Sequence, residues 1–285
     1  MDGDPSQEAG MTDSGFVETN GARIYYEADG SGHPLVLVHA GIANLRMWDE
    51  QVPIFARHYR VIRYDTRGWG RTETEQVEFS NRADLAAVLD HLGEQSAFLL
   101  GLSRGGSIVL DFALDYPERT DALIIAAGGV GGFETEESPE EEAIWQEAER
   151  HEQAHDWAWL ADFETRFWVD GASQPAGRAD PAIRARVHDW ILTTYEAEKD
   201  EGKPQRMDPP AAGRLADLRA PTLVMVGDLD ERSTQLSCRH LAEAVPGARL
   251  ELFRGAAHML NLEQPEYFNR LVLDFLASVE AAGRR

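Results

Sequence analysis

The stretch that decides the fold is "AFLLGLSRGGSIVL", residues 97–110. Its first six residues carry no charge and no polar break, the pattern of a strand buried on both faces. Gly101-Leu102-Ser103-Arg104-Gly105 follows, and a helical apolar period begins at Gly106. A bare G-x-S-x-G is common in glycine-rich turns. Between a strand and a helix it acquires a mechanical meaning. Small residues two before and two after the serine let strand and helix pack closely, so the hydroxyl is thrust out on a tight turn. The helix N-terminus supplies a positive dipole for an oxyanion developing beside it. Ser103 is therefore the candidate nucleophile.

Outward from this turn the chain alternates strand and helix. Toward the N-terminus, residues 16–28 form two β-rich runs around Asn20-Gly21, a dipeptide suited to a two-residue hairpin turn. Strands are predicted at 34–41 and 59–65. A helix over 80–93 has Ser80 or Asn81 as its cap, Leu85, Val88, Leu89 and Leu92 on one face, and Gly93 as its stop. Beyond the elbow come a helix (106–118) and a strand (121–128). Residues 133–212 interrupt the pattern: they are acidic, helix-prone and hold Trp145, Trp157, Trp159, Trp168 and Trp190, with 203–213 reading as a linker. Alternation then resumes with strand 221–227, helix 233–247, strand 249–255 and a closing helix 265–280. The expected architecture is an α/β core (16–132 and 213–285), a mostly parallel sheet flanked by helices, with a helical block (133–212) inserted. Residues 1–15 read as a disordered leader, with Met11 an alternative start.

A serine nucleophile needs a base, and the base needs an orienting acid. His258 falls just after the last strand, on the loop before the closing helix. Asp228 and Asp230 both follow the preceding strand; one orients the base and the other serves the turn. The order serine, acid, histidine belongs to one particular fold. Two oxyanion donors are also required. The N–H of Arg104, the residue after the nucleophile, is one. The loop after the strand that opens at residue 34, whose extended part ends at His39, supplies the other, from Gly41 or, alternatively, Ile42. His39, which ends that strand, reads as a brace for the loop rather than a second base.

The 285 residues suffice for one sizeable domain, or one domain with an insertion. With 50 acidic against 27 basic residues the formal charge is −23, a surface that repels nucleic acid and anionic lipid. Lys199 and Lys203 are the only lysines, so the bases are almost all arginine; a GC-rich genome and salt adaptation both account for such a balance. No apolar run is long enough to span a membrane. Cys238 is the only cysteine, which excludes an internal disulfide and fits the cytoplasm. The expected partner is a small-molecule substrate, bound by a monomer or homodimer without a cofactor.

One motif competes. "HEQAH" (151–155) has the H-E-x-x-H form, which on a helix sets two imidazoles on one face with a glutamate between, as zinc proteases do. The extended form's glycine and third histidine are missing, and Glu164 and Glu196 are third ligands by position only. In so glutamate-rich a segment the expectation is a solvated helix face and no metal.

Taken together, "HAG" (39–41), "YDTRGWGRT" (64–72), "GLSRGG" (101–106), "GDLD" (227–230) and "GAAH" (255–258) make the chain resemble the α/β-hydrolase superfamily over about residues 16–281. It looks most like the cap-bearing group of small esterases, enol-lactonases such as 3-oxoadipate enol-lactonase, cofactor-free haloperoxidases and carbon–carbon hydrolases. The resemblance implies that Asp230, three residues after Gly227, is the acid, that Asp65 and Arg67 hold the loop beside the elbow, and that 133–212 is a helical cap. It implies a serine hydrolase acting on a carboxylic ester or lactone through Ser103, Asp230 and His258. A carbon–carbon hydrolase, lyase or perhydrolase on the same residues, and a slow-turnover receptor, are the alternatives. Trp145, Trp157 and Trp168 are the candidate substrate contacts. Three positions depart from the group: Arg104 replaces methionine or glutamine, Ala40 replaces glycine and Thr72 replaces serine. Arg104 has two readings, a contact to a substrate carboxylate or a salt bridge to a neighbouring acid.

Overall fold

Pro34–Val38 shows why the centre of the molecule is a sheet covered on both sides. Alternate residues of a strand point to opposite faces, and here both sets are fully buried, Val36 and Val38 in one core cluster, Leu35 and Leu37 in another. The computed structural model describes residues 13–136, 138–199 and 201–283. Its main strands are β1 (Asp13–Thr19), β2 (Ala22–Asp29), β3 (Pro34–Val38), β4 (Arg60–Tyr64), β5 (Ala97–Leu102), β6 (Thr120–Ala126), β7 (Thr222–Gly227) and β8 (Arg249–Phe253). They lie in the order β1-β2-β4-β3-β5-β6-β7-β8, and the two-residue strand Glu73–Thr74 adds to β2. From β4 to β8 every pairing is parallel, and β1 and β2 are antiparallel. The β1–β2 hairpin turns at Gly21, whose φ of 63° suits glycine.

Helices α1 (Asn81–His91), α2 (Arg104–Asp115) and α6 (Arg232–Ala244) cover one face of the sheet. The Ser80 hydroxyl caps α1 by accepting from the Ala83 N–H. On the other face the C-terminal helix α7 (Pro265–Gly283) buries Phe268, Leu271, Val272, Phe275 and Leu276 beside Trp48 and Phe55.

Between β6 and β7 stand α3 (Pro139–Gln153), α4 (Trp157–Glu164) and α5 (Pro181–Glu196). A π-helical segment, Thr165–Gly171, continues α4. These elements have a small core of their own, Ala148, Leu160, Phe163 and Phe167, with the block's aromatic residues packed around it. The segment expected as a linker is tied to the main domain: Lys203–Pro204 pairs with Glu78–Phe79, and Met207 and Ala211 are buried in the sheet's core. The expected leader also needs correction at its end. Strand β1 begins at Asp13, because residues 13–15 pair with Tyr26, Glu27 and Ala28; residues 1–12 lie outside the described residues.

Candidate active site

The site is built on the turn after β5. Ser103 holds φ 56° and ψ −119°, a conformation costly for any residue with a side chain. Its surroundings show what enforces it. A Cβ on Gly101 would lie 2.1 Å from the Gly105 carbonyl oxygen, and one on Gly105 would lie 2.2 Å from that of Val38. Only glycines let β5, α2 and β3 approach this closely, and the serine between them absorbs the bend. The Ser103 N–H donates to the Ala126 carbonyl at 2.8 Å, fixing the turn to β6.

His258 and Asp230 meet as a buried pair. Nδ1 of His258 lies 3.0 Å and 2.9 Å from the two carboxylate oxygens of Asp230. Asp230 Oδ1 also accepts from the Glu231 N–H at 2.7 Å, which limits its rotation. Asp228 does something else: its Oδ1 accepts from the Gly255 N–H at 2.7 Å and ties the two loops together. The choice between the two aspartates thus has a geometric basis. The His258 N–H donates to the Trp168 carbonyl at 3.2 Å, and the two rings lie 4.5 Å apart.

Ser103 and His258 share a cavity of about 330 Å³ with Gly41, Ile42, Trp69, Arg104, Glu164, Trp168, Ile191, Thr194 and Tyr195. Of the three candidate tryptophans, then, Trp168 lines the cavity. Trp145 and Trp157 are not among its lining residues. Trp145 packs edge-on against Phe163 and Phe167, and Trp157 stacks on Tyr195. Sequence reading missed Trp69, Ile191, Thr194 and Tyr195, and noticed Glu164 only as a metal ligand by position. Nothing local marks these residues; helix packing brings them to the cavity.

The loop carrying Gly41 is braced from below. His39 is fully buried, Nδ1 donating to the Ala40 carbonyl at 2.7 Å and Nε2 accepting from the Thr66 N–H at 3.0 Å. Both nitrogens are thereby occupied, and burial holds its pKa down at about 3, so the ring stays neutral. This is a brace. Gly41 O accepts from the Trp69 indole at 2.6 Å, which orients the peptide. Asp65 accepts from the N–H groups of Leu45 and Arg71, and burial pushes its carboxyl up to about 6. Arg67 clamps Asp84 through two nitrogens, 2.7 Å and 2.8 Å. Thr72 donates to Asp65 O and accepts from the Tyr25 N–H, so a hydroxyl suffices there whether serine or threonine bears it.

Arg104 is spoken for. Its guanidinium lies 3.9 Å over the Trp69 ring, bonds Glu201 at 2.9 Å and donates to the Thr66 hydroxyl. Of its two readings the salt bridge is the one present.

The H-E-x-x-H segment departs from the helix face expected of it. Helix α3 ends at Gln153, and His155 has φ 54°, so the two histidines do not share a helix face. His151 pairs with Asp156 and stacks on Trp159 at 3.8 Å, whereas His155 pairs with Glu198. No group of three metal-ligating side chains occurs among the described residues.

A strained serine between strand and helix, an Asp–His pair on the following loops and this strand order define a class. The model of the Alpha/beta hydrolase family matches residues 35–271, and the chain belongs to that family. It is an enzyme of the hydrolase class. Carboxylesterase YbfK of Bacillus subtilis is 26% identical, covering 92% of this chain and 86% of the relative. A 2-hydroxy-6-oxononadienedioate/2-hydroxy-6-oxononatrienedioate hydrolase of Burkholderia vietnamiensis is 30% identical, covering 89% and 91% respectively. Among solved structures, the enol-lactonase from Burkholderia xenovorans LB400 superposes with a TM-score of 0.74 at 25% identity, covering 93% of this chain and all of that one. No helix among the described residues is long and apolar enough to cross a membrane.

Proposed function

We propose that the chain is a serine hydrolase that cleaves a small-molecule carboxylic ester or lactone through an acyl-enzyme. The observation that carries this is the buried His258–Asp230 pair, whose histidine lines one cavity with a conformationally strained Ser103. Ser103 Oγ attacks the carbonyl carbon. His258 Nε2 takes the serine proton, while Nδ1–H stays on Asp230, which fixes the tautomer and stabilises the imidazolium. The N–H groups of Arg104 and Gly41 receive the oxyanion, with Ile42 the alternative to Gly41. His258 then delivers its proton to the leaving alcohol, and a water activated by the same imidazole releases the acid. The helical block acts as a cap that sets what enters. No cofactor takes part in this scheme, and the cytoplasm is the proposed location.

The carbon–carbon hydrolase reading is favoured by the identity to the nonadienedioate hydrolase. That relative's named substrate carries two carboxylates. Here the cavity's arginine is already paired with Glu201, which supports an ester or lactone instead. The test is a fluorophosphonate probe with a short-ester panel. The probe should label Ser103, and Ser103→Ala should lose labelling and about 10⁶ in kcat. Labelling elsewhere, or near-normal turnover by Ser103→Ala, would overturn the proposal. Labelled Ser103 with no ester turned over would favour the receptor reading.

A further inference from the structure

One charged side chain in the cavity has no part in the acyl-transfer scheme. Glu164 ends α4 and lines the same space as Ser103 and His258. One of its oxygens accepts from the Tyr195 O–H at 2.7 Å. Tyr195 is in turn held flat against Trp157, rings 5.3 Å apart and 3° from parallel. A carboxylate offers about four acceptor sites, so one phenol leaves most of its capacity for whatever enters.

The charges around it are unevenly committed. Arg104 is consumed by Glu201, Thr66 and Trp69. A second depression, of about 530 Å³, shares Trp69, Thr194 and Tyr195 with the cavity and adds Trp157 to the aromatic wall. Glu152, Glu198 and Glu201 stand in it; Glu201 is paired with Arg104 and Glu198 with His155, Lys199 donates to the Gly70 carbonyl, and Glu152 has no cation against it among these lining residues. Aromatic faces and carboxylates both attract a cation and both disfavour an anion.

We infer that Glu164 is a specificity residue that accepts a hydrogen bond from an ammonium group on the substrate, so that amine-bearing esters or lactones are preferred over carboxylate-bearing ones. This rests on the Ser103 cavity being the substrate site. The groups facing Glu164 are Tyr195 on α5, Glu152 on α3, and Arg104 and His258 across the shared cavity. Burial pushes its carboxyl up to about 7, with Glu152 adding to the rise and the Tyr195 bond opposing it. At pH 8 it is mainly ionised, and that is the pH for the test.

The test uses anilides of 4-aminobutyrate, pentanoate and succinate, with binding read from the fluorescence of Trp69 and Trp168. The wild type should bind the aminobutyryl anilide about tenfold tighter than the pentanoyl one, with the succinyl one weakest. In Glu164→Gln the aminobutyryl-to-pentanoyl ratio should fall toward one and the penalty on succinyl should shrink. Ratios within one protein cancel any general change in the cavity. A wild type that binds the succinyl anilide tightest, or ratios equal in the two proteins, would overturn the inference. p-Nitrophenyl pentanoate, whose acyl chain has no group that can cyclise onto the ester, separates the two readings. Shifted anilide ratios without ester turnover would sink the Ser103 assignment alone. Ester turnover with unshifted ratios would sink the role of Glu164 alone. Neither binding nor turnover would sink both.

Discussion

Two aspartates stand two residues apart after β7, and their different bonds give them different consequences. Asp230 holds His258, whereas Asp228 accepts an N–H from the neighbouring loop. An amide at 230 presents the wrong group to Nδ1–H, and Asp230→Asn should lower kcat by about 10⁴. An amide at 228 can still accept from Gly255, so Asp228→Asn should stay within roughly tenfold. Steady-state kinetics on one short ester checks both, and equal losses would mean that the assignment of the acid is wrong. Glu164 supports a second prediction at this scale, about stability. An acid whose folded pKa is raised, here from its ordinary 4.5 to about 7, lets the folded state keep a proton that the unfolded chain releases. That stabilisation is fully present below about 4.5 and is lost as pH rises through about 7. Glu164→Gln escapes the loss. It should therefore gain about 1–2 kcal/mol over the wild type at pH 8, allowing for solvent reaching the cavity, and none of that gain near pH 4. Thermal melts of both proteins at the two pH values decide it; a gain independent of pH would show that ionisation is not the cause.

At the scale of elements, the π-helical segment after α4 is what brings the inserted block to the histidine loop. A π-helix widens the turn and is often found at functional sites. Here it carries Trp168, whose carbonyl receives the His258 N–H. Arg178 locks this arrangement. It donates to the carbonyls of Asp170, Val169 and Gly255 and bonds Glu263, which itself accepts from the Ala257 N–H beside His258. Removing the guanidinium leaves Glu263 buried without its partner, so Arg178→Ala should cost about 2–4 kcal/mol. Arg178→Lys should recover little, because an ammonium cannot reach carbonyls in several directions at once. Thermal unfolding measures the first claim; full recovery by lysine would show that charge alone matters.

How much of this was legible in the chain follows from where the information lies. The strands of the parallel sheet announce themselves because both of their faces are buried, as at Leu35–Val38 and Phe98–Leu102. The elbow is legible because its glycines are required within five residues of the serine. Trp145, Trp157 and Trp168 look alike in sequence. What separates them is which side of a three-helix packing each ring meets. Tyr195 and Glu164 are 31 residues apart and become a pair only when α4 lies against α5. The H-E-x-x-H spacing presupposes a continuous helix, and α3 stops two residues before His155.

The whole molecule is governed by its charge. A formal −23 on 285 residues opposes compaction, since most of the surplus carboxylates lie on the surface and repel one another. Some ion pairs are sheltered from solvent, including Arg67–Asp84 and Arg63–Glu27, and salt screens these less than it screens surface repulsion. Added salt should therefore stabilise the fold. Raising NaCl from about 20 mM to 1 M, which shortens the Debye length from roughly 20 Å to 3 Å, should raise Tm by about 2–8 °C. The shape of the curve identifies the cause. Screening saturates, so most of the rise should come below about 0.3 M, whereas exclusion of salt from the surface keeps increasing with concentration and is stronger for sulfate. Melts in NaCl and in sodium sulfate at matched ionic strength should coincide at the low end if repulsion dominates. A Tm that is flat or falls with NaCl would mean that the paired charges outweigh the surplus, and that the acidity of this chain carries no cost to its stability.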